Sequence, residues 1–417
     1  MVGDQPGAAT SVPLLAMTAA QELVLPTVRE VHRAVSDASF RWTGPLGRPV
    51  QRVVEQATDT AYLGVQGVLA AVTAGLRRVA CAPTPTSGRA APPTRRATRT
   101  RAIAAGVVDA GVRARAGLSP APMSLYLAGR PEPVMPEQLP AVVPGAGGRL
   151  VVFVHGLVDT EHVWYGGSQG PSLPAVAAGS GAQVLLVRYD TGRSIGGNAA
   201  DLAELLERVF RAWPVRLRRL VLVGYSMGGL VIRGATQQAE GDSRLWPSAV
   251  SDVVHLATPH LGSWLEKSAN VASWTLRHAS AVSAPFGHAL DRRSEGIKDL
   301  RFGAVGAAGH PPVTDGLLQG WHVPSPWPST TRHHLVAGRL RPRPGHPLNL
   351  VVGDALVRAG SARGVGALRA VPGPAPASYH EVAAGHLDLV RHAEVAAVLR
   401  TVLNEPVTAS LTGSRAG

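Results

Sequence analysis

The sequence contains very little cysteine and lysine. Of its 417 residues, only Cys81 is a cysteine, and the only lysines are Lys267 and Lys298. A single cysteine excludes an intramolecular disulfide, so nothing favours an oxidising compartment. No apolar run reaches about eighteen residues, and no basic residue precedes Arg29, which argues against a membrane span and a secretory signal. These absences predict a cytoplasmic protein.

Acidic residues are also scarce, since Asp and Glu number 28 against 41 Lys and Arg. Such an excess of arginine can indicate attraction to nucleic acid or to anionic lipid. Alanine, glycine, proline and arginine are abundant together, however, so a general compositional bias explains the excess more simply. We therefore predict no nucleic-acid partner and leave peripheral contact with an anionic membrane open. The oligomeric state is not predicted.

The chain divides into regions of different composition. Residues 1–80 have apolar residues at three- and four-residue spacings and predict a helical N-terminal extension. Residues 81–120 begin with four prolines and several arginines and no acid, and predict an exposed Pro/Arg-rich linker. We assign 121–405 to the main folded domain and 406–417 to a tail.

Short β-branched runs alternate with helical stretches from about Leu150 onward. A parallel sheet covered by helices on both faces produces this pattern. The fold class is therefore α/β, and the stretch of about 259–330, which holds four of the eight tryptophans, breaks the rhythm and predicts an inserted cap or lid. The predicted strands are Leu150–Val154, Val184–Val187, Leu220–Val223, Val253–Leu256 and His334–Ala337, and the helix between the second and third is Asn198–Trp213.

The pentapeptide Gly-x-Ser-x-Gly, which can carry a nucleophilic serine, occurs around both Ser168 and Ser226. Its repetition shows that the pentapeptide alone is weak evidence, so the flanking sequence must decide. Ser226 follows the strand Leu220–Val223 and precedes the apolar run Leu230–Ile232, as a strand–turn–helix serine requires. Ser168 has no strand before it and is followed at once by Pro171. Ser226 is therefore the predicted nucleophile, and Ser168 a loop residue.

A nucleophilic serine also needs hydrogen-bond donors for the oxyanion that forms when it attacks a carbonyl. In this kind of site, one backbone N–H comes from the residue after the serine and another from a loop after an earlier strand. These rules predict the amides of Met227 and of Leu157, which follows the strand ending in His155-Gly156. His155 itself lies upstream of the serine and is predicted to be structural.

The base should follow the acid, because this arrangement has the chain order serine, acid, histidine. His386 lies in a short loop before the closing helical run and is the predicted base. Asp354 lies after the predicted strand that ends at Ala337 and is the predicted acid. The other candidates are less suitably placed: His255, His260, His380 and His392 for the base, and Asp252, Asp299, Asp315 and Asp388 for the acid.

Several motifs together resemble a known family. From about Leu150 to Leu403 the chain resembles the bacterial lipase and esterase branch of the α/β-hydrolases, near the PGAP1-like and DUF676 lipases. The matching stretches are Phe153–Leu157, Arg188–Gly192, Gly224–Leu230, Leu256–Ser263, Gly296–Arg301, Gly353-Asp354 and Gly385-His386. In such proteins the second stretch commonly has Asn where this chain has Asp190, and an aromatic residue commonly follows the histidine where this chain has Leu387.

The resemblance implies hydrolysis of lipid-like esters without an organic cofactor. The residues themselves predict a serine esterase that works through an acyl-enzyme on Ser226. Two alternatives stay open: an acyltransferase with the same triad, and a non-catalytic binding protein that kept the fold. No cluster of His, Cys or carboxylates has metal-ligand spacing, so no metal is predicted.

Overall fold

The computed structural model describes residues 95–107, 110–115, 120–165, 171–262, 294–300, 326–328, 331–340, 353–354, 356–366 and 370–406. The predicted N-terminal extension, Ser168 and the C-terminal tail from 407 onward lie outside these ranges. So does most of the predicted cap, including Trp264, Trp274 and Trp321. Among the described helices, none combines the length and the apolar character needed to cross a bilayer.

In the described part of the chain, eight strands form one mixed sheet in the order β2-β1-β4-β3-β5-β6-β7-β8. Strand β1 is antiparallel to β2 and β4, and the six strands β3 to β8 run parallel to one another. This topology confirms the predicted α/β-hydrolase sheet. The strands are β1 (Ser124–Leu127), β2 (Pro133–Val134), β3 (Arg149–Val154), β4 (Gln183–Arg188), β5 (Arg219–Tyr225), β6 (Val250–Leu256), β7 (Arg332–Gly338) and β8 (Ser378–Val382).

The five predicted strands correspond to β3–β7, while β1, β2 and β8 were not located from the sequence. The missed strands are short or carry polar residues, such as the Ser-Tyr-His-Glu-Val of β8, and so lack a continuous apolar run. Strand β5 is buried along its whole length, because helices cover both faces of the sheet there. Every residue of β5 therefore needs to be compatible with a core.

The helices occur on both sides of the sheet. They are α1 (Arg95–Val107), α2 (Ala110–Arg115), α3 (Leu139–Val142), α4 (Leu173–Gly179), α5 (Ile195–Ala212), α6 (Met227–Gly241), α7 (Glu295–Asp299), α8 (Ala359–Arg363) and α9 (Ala393–Asn404). One core places α5 and α6 against one face of β3, and a second core places α4 and α9 against the other face. Alternate residues of β3 enter the two cores, as the twofold repeat of a strand requires.

Helices α1 and α2 lie inside the segment that composition predicts to be an exposed linker. Arg113 of α2 is only 4 % exposed, and its guanidinium donates a hydrogen bond to Asp190, which follows β4 of the sheet. The prolines that suggest the linker end at Pro93, two residues before α1 begins, and the following residues are rich in alanine and compatible with a helix. Segment 95–115 therefore packs on the sheet domain and differs from a solvated spacer.

Candidate active site

The carboxyl ends of the parallel strands place Ser226 on a sharp turn between β5 and α6. Ser226 has φ 52° and ψ −121°, a left-handed conformation that costs a non-glycine residue about 1–3 kcal/mol. Its amide donates a 2.8 Å hydrogen bond to the carbonyl of Leu256 on the next strand, which holds the turn in place. The serine hydroxyl is thereby raised above the edge of the sheet.

Glycines on both sides of Ser226 allow this turn. A Cβ added to Gly224 would lie 2.5 Å from Gly229 Cα, and one added to Gly228 would lie 2.5 Å from the carbonyl oxygen of His155. Both distances are shorter than any normal contact with backbone. The Gly-x-Ser-x-Gly pattern at this position therefore follows from close packing of β5, α6 and the loop after β3.

The structure brings the three predicted triad residues together. His386 Nε2 lies 3.0 Å from Ser226 Oγ, and His386 Nδ1 lies 2.7 Å from Asp354 Oδ2. A neutral imidazole that donates from Nδ1 to the carboxylate leaves Nε2 free to accept the serine proton. This is the hydrogen-bonding order that nucleophilic catalysis by serine requires.

Backbone groups fix the orientation of the acid and the base. Asp354 is 1 % exposed, and its Oδ1 accepts hydrogen bonds from the amides of Leu356 at 3.0 Å and Val357 at 2.8 Å. The amide of His386 donates to the carbonyl of Asp354 at 3.0 Å, and the Tyr225 hydroxyl donates to the carbonyl of His386 at 3.0 Å. The loops after β7 and β8 are therefore tied to each other and to β5.

The two predicted oxyanion donors lie on either side of the serine. Met227 is the first residue of α6, and Leu157 follows Gly156, where an added Cβ would lie 3.1 Å from Ser226 Cβ. Neither the Leu157 nor the Met227 amide donates a hydrogen bond within the described part of the chain. Both are thus available to a carbonyl oxygen bound beside Ser226.

Both ring nitrogens of His155 form hydrogen bonds with groups other than Ser226. Nδ1 lies 2.9 Å from the Gly156 carbonyl, which fixes the proton there, and Nε2 accepts from the Tyr189 amide at 3.4 Å. The ring stacks on Tyr189 with centroids 4.4 Å apart, and full burial lowers its pKa to about 4. His155 therefore supports the loop as a neutral side chain and has no free nitrogen for Ser226.

Two of the alternative acids, Asp252 and Asp299, form ion pairs or hydrogen bonds with groups other than the triad. Asp252 forms ion pairs with Arg219 and Arg332 where β6 begins, at the opposite edge of the sheet. Burial opposes ionisation of Asp252, but hydrogen bonds, chiefly from His334, lower its pKa to about 2. Asp299 accepts a 2.7 Å hydrogen bond from the amide of Ile195.

The remaining candidates are also accounted for. Asp388 is exposed, and Asp315 lies outside the described residues. His380 lies 3.1 Å from Ser378 Oγ, and His392 accepts from the amide of Glu394 at the start of α9. His255 and His260 belong to a buried cluster of aromatic rings between β6 and β7.

Sequence reasoning missed one titratable group near the triad, Asp159. Loss of hydration raises the pKa of its carboxyl to about 6, against the opposing positive charges of Arg99 and Arg391. Asp159 lies in the loop after β3, two residues beyond Leu157, and its amide donates to the Gly156 carbonyl at 3.4 Å. Only its proximity to His155-Gly156 could have indicated it, since no motif includes it.

The described part of the active-site region contains no recognisable metal site. Within those ranges, no three His, Cys, Asp or Glu side chains lie close enough together to hold a metal ion.

One family of known proteins is similar to the central part of the chain. Residues 146–288 match the family described as "Putative serine esterase (DUF676)". This match spans β3 to the region after β6 and includes Ser226, Leu157 and Met227. No curated protein matches the chain.

Solved structures of lipases and esterases are similar in fold at low sequence identity. The mature form of lipase BlEst2 from Bacillus licheniformis is 17 % identical, with 68 % of this chain and 99 % of that chain covered and a TM-score of 0.41. A lipase-esterase related protein from Clostridium acetobutylicum is 13 % identical, with 68 % and 99 % covered and a TM-score of 0.33. Homoserine O-acetyltransferase from Staphylococcus aureus is 12 % identical, with 62 % and 86 % covered and a TM-score of 0.34. By its own sheet topology the chain has the α/β-hydrolase fold, and its segment 146–288 is similar to the DUF676 serine esterases.

Proposed function

We propose that this protein hydrolyses carboxylic esters of the lipase or carboxylesterase type through an acyl-enzyme on Ser226. The observation that carries the proposal is the chain of hydrogen bonds from Ser226 through His386 to Asp354, with Ser226 on a strained turn. The DUF676 match over 146–288 supports the ester as the reacting group. The resemblance to lipases favours a lipid-like substrate.

Acylation begins with attack of Ser226 Oγ on the carbonyl carbon of the ester. His386 Nε2 takes the serine proton, and the Asp354 carboxylate stabilises the resulting imidazolium. The carbonyl π electrons move to its oxygen, where the amides of Leu157 and Met227 donate hydrogen bonds to the oxyanion. Collapse of this intermediate expels the alcohol, which receives the proton from His386.

Deacylation repeats these steps with water. His386 removes a proton from the water as its oxygen attacks the acyl carbon, and the Ser226 oxygen leaves with the proton that His386 returns. The acid is released and the enzyme is restored. Because only the acceptor differs, the same groups would transfer the acyl chain to another alcohol if that alcohol replaced water.

The direct test combines p-nitrophenyl esters of short and medium chain length with a fluorophosphonate probe. Wild-type protein should hydrolyse the esters and be labelled, whereas Ser226→Ala should lose turnover on the order of 10⁴–10⁶-fold and remain unlabelled while folded. Ser168→Ala is the matched control, since it alters the other Gly-x-Ser-x-Gly pentapeptide, and should keep both properties.

Each other result excludes a part of the proposal. An inactive Ser168→Ala beside an active Ser226→Ala would transfer the nucleophile to Ser168. A folded wild-type protein that neither hydrolyses the esters nor reacts with the probe would favour the binding-protein alternative. Preferential appearance of the acyl group on an added alcohol rather than on water would favour the acyltransferase.

A further inference from the structure

Segment 95–115 contributes a buried charge to the sheet domain. Arg113 Nη1 donates a 2.6 Å hydrogen bond to Asp190 Oδ2, and the two side chains are 4 % and 1 % exposed. Removing one partner of a buried ion pair leaves an uncompensated charge, which is strongly unfavourable. Proteins of the family that this chain resembles commonly have a neutral Asn at position 190. Arg113 therefore pairs with a residue at which this chain differs from that family.

Asp190 organises the turn that follows β4. Its Oδ1 accepts a 2.9 Å hydrogen bond from the amide of Gly192, and its carbonyl accepts from the Arg193 amide at 3.2 Å and from Asn198 Nδ2 at 3.0 Å. The residue between, Thr191, is 1 % exposed. Asp190, whose second carboxylate oxygen pairs with Arg113, thus holds the turn that contains Thr191.

Thr191 connects this turn to the loop that contains the oxyanion donor. Its Oγ1 accepts a 3.2 Å hydrogen bond from the amide of Val158, the residue directly after Leu157. Val158 has φ 58°, a conformation that a β-branched residue adopts only when its surroundings impose it. Thr191 therefore holds the Leu157–Val158 peptide, which is adjacent to the peptide that carries the Leu157 N–H.

Helix α1 packs on the same two residues. A Cβ added to Gly106 would lie 2.8 Å from Thr191 Oγ1 and 2.8 Å from Val158 Cγ1, so the helix backbone is in direct contact with them. Gly106 is itself held, because Ser294 Oγ donates to its carbonyl. Val158 is therefore contacted by Gly106 of helix α1 and by Thr191 of the turn after β4.

We propose that Arg113 is a positioning residue for ester hydrolysis: through Asp190 and Thr191 it fixes Val158 and thereby aims the Leu157 amide at the oxyanion. The inference rests on the proposed function. It assigns to the segment before residue 121 a part in the active site, although none of its residues touches the reacting atoms. Loss of the positioning should lower kcat, since the oxyanion forms only in the transition state, and leave KM nearly unchanged.

Three variants test the connection step by step. Arg113→Gln removes the cation, and Arg113→Gln with Asp190→Asn restores a neutral hydrogen-bonding pair. Thr191→Val keeps the ion pair and the shape but removes the acceptor of the Val158 amide. We expect Arg113→Gln and Thr191→Val to lower kcat by about 10- to 100-fold with KM within about threefold of wild type, and the double variant to recover most of the loss.

Arg219→Gln is the matched control, because it breaks a buried arginine–aspartate pair at the opposite edge of the sheet. It should lower the melting temperature without changing kcat measured below that temperature. Inhibition by a trifluoromethyl ketone, which forms an oxyanion on Ser226, should weaken in Arg113→Gln and Thr191→Val in parallel with kcat. A merely structural role would not produce that parallel.

The proposal is overturned if folded Thr191→Val and Arg113→Gln keep wild-type kcat, or if Arg219→Gln loses kcat to the same extent. It is also overturned if the double variant has a kcat as low as that of Arg113→Gln. Should Arg113→Gln fail to fold, Thr191→Val alone decides between these outcomes. Fluorophosphonate labelling of the wild-type protein is measured first, so failure of the proposed function is distinguished from failure of the positioning.

Discussion

Acidification should destabilise the protein through a cluster of buried histidines. His255, His260 and His333 are each at most 3 % exposed and contact one another and Trp327 between β6 and β7. His333 Nε2 lies 3.3 Å from the Pro328 carbonyl and must carry the proton, so Nδ1 accepts from His255 Nε2 at 3.1 Å. Protonation of His333 would break this bond and bury a charge.

The magnitude follows from the lowered pKa values. Burial lowers the pKa of His333 to about 4, opposed by the hydrogen bond to Pro328 and assisted by Arg233. Burial also lowers the pKa values of His255 and His260 well below the ordinary histidine value. For His333 the difference from the ordinary value of 6.5 corresponds to roughly 3 kcal/mol, of which about 2 kcal/mol is lost by pH 5.

The sign follows from which state binds more protons. The folded histidine is neutral where the unfolded one is charged, so its stabilisation is fully present above pH 6.5 and is lost as pH falls towards 4. Asp159 and Asp299 act in the opposite sense, because burial raises their pKa values to about 6 and the folded protein binds their protons first. The histidine contribution must therefore be isolated by comparison with a variant.

Urea unfolding of wild type, His333→Gln and His392→Gln between pH 8 and pH 5 provides that comparison. His333→Gln should be less stable at pH 8 but lose about 2 kcal/mol less than wild type on going to pH 5, since it cannot take up the proton. His392→Gln, at the start of α9 and outside the buried cluster, is the control for replacing a histidine, and His333→Gln should differ from it in pH dependence. Equal pH dependence in His333→Gln and wild type would refute the reasoning.

Three further predictions concern the active site and its surroundings. Asp354→Asn should lower kcat roughly 10⁴-fold in the ester assay, because the imidazole is then held in the wrong tautomer, and near-normal activity would require another acid. Asp159→Asn should remove a loss of unfolding free energy that wild type shows as pH rises from about 4 through 6, because burial raises the pKa of this carboxyl to about 6 and it must ionise over that range; an unchanged pH dependence of urea unfolding would contradict the raised pKa of Asp159. If the basic stretch from Arg89 to Arg101 contacts anionic membranes, the protein should co-sediment with anionic but not neutral vesicles, and high salt should release it; equal recovery on both lipids would remove that role.

The sequence predicts the sheet and the neighbourhood of Ser226 because the signals are local. The run Leu220–Val223 is apolar enough to identify a strand, and the glycines on either side of Ser226 identify a turn. Asp354 and His386 could be nominated because strand order restricts where each can fall. Strands β1, β2 and β8 could not be located, since short strands with polar residues have no distinctive period.

Contacts between distant residues could not be predicted. His255 and His333 are 78 positions apart and meet only because β6 and β7 pair in register, which no local pattern specifies. Likewise, the arginines after Cys81 indicate a solvated segment when they are counted together. Whether one of them is buried depends on a partner elsewhere in the chain, as Arg113 and Asp190 show across 77 positions.

The pair of Arg113 and Asp190 also bears on where the hydrolase unit begins. An Asn at position 190 would need no cation, whereas a buried Asp without one would cost about 3–5 kcal/mol, a large share of the stability of a typical domain. A unit that started at residue 121, as composition suggests, would leave Asp190 in that state and would expose the surfaces of Thr191 and Val158 that contact Gly106. The boundary consistent with the buried charge therefore lies before Arg95, and helices α1 and α2 belong with the sheet whose active-site loop they contact.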